Sequence, residues 1–219
     1  MTRYLYNEMG ANIHKADSND GKSPFHIACM YGHEKVVRYL IGLKVPVNDL
    51  DFNGRSPFWV ACSVNRLRIV EILMEAGAER NRADNFGQSP FLITCSRIEF
   101  NSNVAELLAR DSAVAINLPD DQGVTPMHVL CEAGNHYIVA ILLERGVDID
   151  AVSSDGKTPL HAAVEGRQKG MVDVLLNQGA RIDIPDLQCR TPYYMAHDDV
   201  DMCFHLLRQH DMLHVLRRA

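Results

Sequence analysis

Ten histidines and six cysteines are the residues through which this chain of 219 could do chemistry. An imidazole can shuttle protons or hold a metal near neutral pH, and a thiolate can attack carbon or bind zinc. Neither set is arranged for such work. His210 and His214 are four apart, the spacing of a metal-binding pair on one helix face, but no Glu stands between them and Asp211 sits beside His210. His197 with Asp198, Asp199 and Asp201 has the composition of a metal cluster and reads as a solvated acidic turn. No Cys-x-x-Cys pair occurs. Gly21-Lys22-Ser23 lacks the upstream glycine of a phosphate-cradling loop. The chain is therefore expected to be no enzyme, with no metal and no cofactor.

The same residues obey a different order. His26, His128 and His161 each stand three places after a Ser or Thr, and Cys29, Cys62, Cys95 and Cys131 stand six places after one. The segment Gly21 to Cys29 returns from Gly54, Gly87, Gly123, Gly156 and Cys189, in steps of 33, 33, 36, 33 and 33 residues. A fixed period of this size marks a stacked array whose units bury their apolar faces against one another. Equivalent helices in such a stack lie roughly 8–10 Å apart, beyond the ~7 Å Cα separation that a disulfide spans. The four aligned cysteines are thus expected to be small core residues.

One copy shows how a unit is built. Asp51-Phe52-Asn53-Gly54 has turn composition, and Gly54 suits a positive φ. Ser56 is placed to cap a helix, with Pro57 at its first position where the missing N–H costs nothing. That helix is predicted from Pro57 to about Val64, broken at Asn65, which tolerates a left-handed end. Leu67, Val70, Ile72 and Leu73, with Ile69 nearby, then form the apolar face of a second helix ending near Gly77.

Ser23-Pro24-Phe25-His26, Thr125-Pro126-Met127-His128 and Thr158-Pro159-Leu160-His161 resemble the Thr-Pro-Leu-His opening of ankyrin repeats, whose length also matches. Ser56, Ser89 and Thr191 open the other copies. The resemblance implies an all-α helical repeat, an ankyrin-repeat solenoid of β-hairpin and helix-turn-helix units. Residues 1–17 are expected to be a partial repeat, the remnant of a second helix carrying Tyr4, Leu5, Met9 and Ile13. Repeats then follow over 18–50, 51–83, 84–119 (with the insertion), 120–152 and 153–185, and a degenerate capping repeat with a C-terminal helix over 186–219. A start without a first helix is expected either of a piece cut from a longer array or of an unusual cap. The stack is expected to run as one elongated unit without an internal boundary.

Composition narrows the partners. Apolar residues make up 47% and charged ones 23%, net charge is -6, and neither sign forms a long block, so the clustered basic surface of a nucleic-acid binder is missing. No apolar run approaches the ~20 residues of a membrane helix, and Met1 to Gly10 lacks a secretory signal. A cytoplasmic or nuclear protein, monomeric or part of a hetero-complex, is expected.

Function must then come from the surface that repetition creates. In the resembled family, partners bind chiefly on the concave side lined by hairpin tips and first-helix ends. Here those places carry Lys22, Met30, Tyr31, Phe52, Arg55, Trp59, Phe86 and Arg97, and binding energy tends to concentrate in such Tyr, Trp and Arg anchors. They predict a mixed apolar and basic groove for a partner protein or an extended, partly acidic peptide. Trp59, Phe52 and Phe86 could equally pack between neighbouring copies. The resemblance also implies that Asn48, Asn81 and Asn117, each leading into a hairpin, can be hydroxylated by an oxygen-dependent enzyme, although bonding the loop is reason enough for them. The expected role is an adaptor or scaffold. The alternatives are a substrate-recognition or regulatory part of an enzyme such as a ubiquitin ligase, and the cytosolic array of a larger channel or effector.

Overall fold

The computed structural model describes residues 13, 15–97, 103–197, 202 and 206. The chain divides into two compact units, Met1–Ala115 and Ile116–Ala219. In the first, helices α1 (Pro24–Tyr31) and α2 (Glu34–Gly42) are followed by α3 (Pro57–Ser63), α4 (Leu67–Glu75), α5 (Pro90–Ser96) and α6 (Asn103–Arg110). In the second, α7 (Pro126–Ala133) and α8 (His136–Glu144) precede α9 (Pro159–Glu165), α10 (Lys169–Asn177) and the single turn α11 (Pro192–Met195). Each first helix packs on the first helix of a neighbouring repeat in the same unit, and all but the single turn α11 also pack on their own second helix.

Local chemistry accounts for this pattern. Ser56 and Ser89 cap α3 and α5 by accepting the N–H of Trp59 and Leu92, each at 3.1 Å, and proline occupies the first helical position throughout. Asn65 leaves α3 at φ 53°, and Gly32 and Gly134 turn the chain at φ 76° and 68°. The second helices are amphipathic, as α4 shows by burying Ile69, Val70, Ile72 and Leu73. Each such aliphatic contributes about 1.5–3 kcal/mol on burial. Cys29, Cys62, Cys95 and Cys131 are buried and unpaired; burial pushes the Cys29 thiol up to about 12 and raises the other three as well.

Three expectations change. No strand occurs among the described residues. The hairpin tips are instead turns held by an acidic side chain: Asp51 Oδ1 accepts from the N–H groups of Asn53 and Arg55, and Asp84 Oδ1 from those of Phe86 and Gln88. The chain also has an internal division, where an unbroken stack was predicted. It falls at the end of the repeat that carries both the extra residues and, at the histidine slot, the hydrocarbon side chain of Leu92. The third change concerns Trp59, which is buried. The extra residues of the third repeat are expected around Ile98 to Asn103 and Ser112 to Ala115; of these 98–102, with most of residues 1–17 and with His210 and His214, lie outside the described residues.

Candidate functional site

The candidate surface is built on tips that hang from one another. The N–H of Phe52 donates to the carbonyl of Asp20 at 2.9 Å, and that of Asn85 to Asn53 at 2.9 Å. In the second unit Ser154 donates to Gln122 and Leu187 to Asp155 in the same register. Phe52 therefore lies across the preceding tip, so close that a Cβ on Gly21 would strike its ring. Its outer face stays open, with 65% of the residue exposed. Phe86 sits one place further along its own tip and is 61% exposed.

Behind the tips run the first helices. Tyr31 ends α1, is 60% exposed and stacks on His33 with ring centroids 6.2 Å apart. It borders a cavity of about 260 Å³ together with Asn65, Arg66 and Arg68. Met30 is partly buried against Trp59, Val60 and Ile93. Arg97 follows α5 at the slot that Tyr31 holds in the first repeat; it is exposed, and its guanidinium has no partner among the described residues. Lys22 pairs with Asp20, whose carboxyl the ammonium holds below the usual carboxylate range. That neutralises it as a binding charge, and it lines a separate cavity with Pro24, Ile27 and Val36.

Trp59 is not a surface anchor. It is 4% exposed, and its Nε1–H donates to the carbonyl of Gln88 at 2.8 Å. His26, His128 and His161 make the corresponding bond from Nε2 to the carbonyls of Arg55, Lys157 and Arg190, at 3.0–3.1 Å. A residue three places after the cap points at the next repeat, so a large aromatic there becomes a tie between repeats. The outer face of its ring carries Arg55, with the guanidinium carbon 5.2 Å from the ring centroid.

The histidines are fixed in one form. Backbone N–H groups of Ser23, Thr125 and Thr158 donate to Nδ1, so Nδ1 is the acceptor and Nε2 carries the proton. Burial pulls all three below the usual imidazole range, opposed in part by the carbonyl that each Nε2 meets. Such rings are neutral structural pins, without a free nitrogen for acid–base work. No group of His, Cys, Asp and Glu among the described residues could hold a metal.

The three asparagines form a second ladder. Asn48 Oδ1 accepts from the N–H of Glu79, and Asn117 Oδ1 from that of Asp148. Asn81 accepts from Ala115 and also donates to the carbonyl of Ala113. Asp150 fills the slot in the next repeat and accepts from Arg181 in the same way. Arg66 was not singled out from the sequence, yet its Nε donates to the Met30 carbonyl at 3.1 Å and its stem crosses Gly32. The clue lay in its position directly after the left-handed Asn65.

The ankyrin-repeat family model, in three copies, matches residues 1–84, 65–153 and 92–186. This chain belongs to the ankyrin-repeat family. Among solved structures it is similar to the ankyrin repeat domain of Bcl-3, a member of the IkappaB protein family, at 27% identity and TM-score 0.75 over 87% of both chains. It is also similar to the human ASB11 ankyrin repeat domain, at 26% identity and TM-score 0.76, over 92% of this chain and 88% of that one. An ankyrin repeat domain from Acinetobacter baumannii shares the fold at 23% identity and TM-score 0.74, over 85% and 97%. No curated protein matches the chain at a significant level. Ankyrin repeats are in general protein–protein interaction modules, and the fold is typically non-enzymatic. Among the described residues, no helix is long and apolar enough to cross a membrane.

Proposed function

We propose that this ankyrin-repeat chain is a non-enzymatic adaptor or scaffold of the cytoplasm or nucleus. It takes an extended, partly acidic peptide of a partner protein across the tips and first-helix ends of its first three repeats. The observation that carries the reading is the exposure of Tyr31, Phe52 and Phe86, each more than half open, on the unit that also holds Arg97, a cation without a partner among the described residues. Large aromatics left in water cost solubility without adding to the core, and patches of this kind mark interaction surfaces. Trp59 leaves the set of contacting residues, and Lys22 contributes little because Asp20 already neutralises it.

The test is selection of short randomised peptides on the immobilised full chain, followed by fluorescence anisotropy with the best binder. Tyr31→Ala combined with Phe86→Ala weakens that binder at least about tenfold. Both residues are exposed, so the melting curve stays in place. Unchanged affinity in the double variant removes the proposal.

A further inference from the structure

Two repeats hold the same Asp–Arg pair in different states. In the sixth repeat Arg190 closes on Asp186, with Nε 2.8 Å and Nη2 2.6 Å from Oδ2. Asp51 and Arg55 occupy the same slots in the second repeat, and the backbone around them is equivalent. Asp186 Oδ1 accepts from Gln188 and Arg190 as Asp51 Oδ1 does from Asn53 and Arg55. Yet Arg55 Nε stands 3.6 Å from Asp51 Oδ2, and both atoms are buried without a hydrogen-bond partner. The difference lies three places after the cap. Tyr194 holds that slot in the sixth repeat and turns outward, whereas Trp59 lies inward and carries the Arg55 guanidinium on its ring. The guanidinium is thus shared between the indole and the carboxylate, to which its Nε stays ion-paired at 3.6 Å.

The result is a guanidinium held over an aromatic ring and ion-paired with Asp51, but not hydrogen-bonded to Asp51 Oδ2. Its two terminal nitrogens have no hydrogen-bond partner among the described residues, and 29% of the side chain reaches solvent although Nε is buried. A planar fork of this kind is the geometric complement of a carboxylate, which it grips through two parallel N–H donors. We propose that Arg55 reads an Asp or Glu side chain of the bound peptide, and that Trp59 is the residue that positions it to do so. Charge supports the same occupant, because Arg97, which has no partner among the described residues, adds a second cation to this unit. The inference rests on the peptide-binding reading above and names the side chain that reading leaves open.

Peptide selection on three forms of the full chain tests it. The wild type enriches Asp or Glu at one fixed position several-fold over the library, and Arg55→Glu enriches Lys or Arg there instead. Trp59→His keeps a ring nitrogen for the Gln88 carbonyl but removes the indole platform, so the acid preference falls while the apolar positions of the selected peptides persist. As a check independent of the charge reversal, Arg55→Gln weakens the selected acidic peptide about tenfold and leaves its Glu→Gln or Asp→Asn analogue unchanged. Peptides that bind without a preferred acid, or an acid preference that survives in Arg55→Glu, overturn the role of Arg55 and leave the peptide-binding reading standing. A selection that enriches no peptide on any form overturns both.

Discussion

The indole Nε1 of Trp59 donates to the backbone carbonyl of Gln88 at 2.8 Å, across the boundary between the second and third repeats. It thereby does from a tryptophan what His26 does for the carbonyl of Arg55. Two side chains of different size reach equivalent acceptors in successive repeats because both leave the helix three places after its cap.

Removing that donor while keeping an aromatic ring is the cleanest probe of the tie. Trp59→Phe should cost about 1–2 kcal/mol, the value of one hydrogen bond plus a partly desolvated carbonyl. Urea denaturation followed by circular dichroism measures it. A change below about 0.3 kcal/mol would show that the bond contributes nothing.

The histidine pins predict a pH dependence of known sign. His26, His128 and His161 are held below their usual value near 6.5, chiefly by burial, so the unfolded chain takes up protons first on acidification. Their contribution is intact above about 6.5 and is lost as pH falls from there through the folded values. Protonating Nδ1 would also set its proton against the backbone N–H of Ser23, Thr125 or Thr158. Urea midpoints should be level between pH 7 and 8 and decline below 6.5, and replacing His128 and His161 by Gln should flatten the decline.

Cys189 stands where other tips place glycine, at φ 59° and exposed. Cys189→Gly should raise stability by about 1 kcal/mol, read as an upward shift in melting temperature. Iodoacetamide on the native chain should label Cys189 well before Cys29, Cys62, Cys95 and Cys131, as peptide mass spectrometry would register.

The asparagine ladder separates acceptor from donor. Asn48 uses its oxygen toward Glu79, and Asp150 shows that a carboxylate serves in that slot, so Asn48→Asp should stay within about 0.5 kcal/mol of wild type. Asn81 bonds Ala113 and Ala115 at once, and Asn81→Ala should cost about 2 kcal/mol. Equal losses in paired thermal melts would refute the distinction.

Much of the fold can be read from residues that act locally. Ser56, Pro57, Asn65 and Gly54 each dictate a dihedral or a cap within a few residues of themselves, and each acts where its type says it should. The proposed binding surface is harder to read, because it depends on where long side chains turn. Trp59 looks like a surface anchor by composition, but its offset from Ser56 is that of His26 from Ser23, and that offset sends it inward. The opened pairing of Arg55 with Asp51 had no local signal at all, since Arg190 and Asp186 present the same spacing in a closed state. The division after Ala115 was equally silent, although Leu92 and the extra residues of the third repeat mark the region.

Neighbouring tips are joined through main-chain atoms: Phe52, Ser154 and Leu187 donate the same N–H in the same register although one is aromatic, one a hydroxyl and one aliphatic. The lettering of the outer edge is thus uncoupled from the grammar that holds it in line. A lineage built this way can rewrite its clientele by a handful of point changes while the scaffold beneath pays no attention.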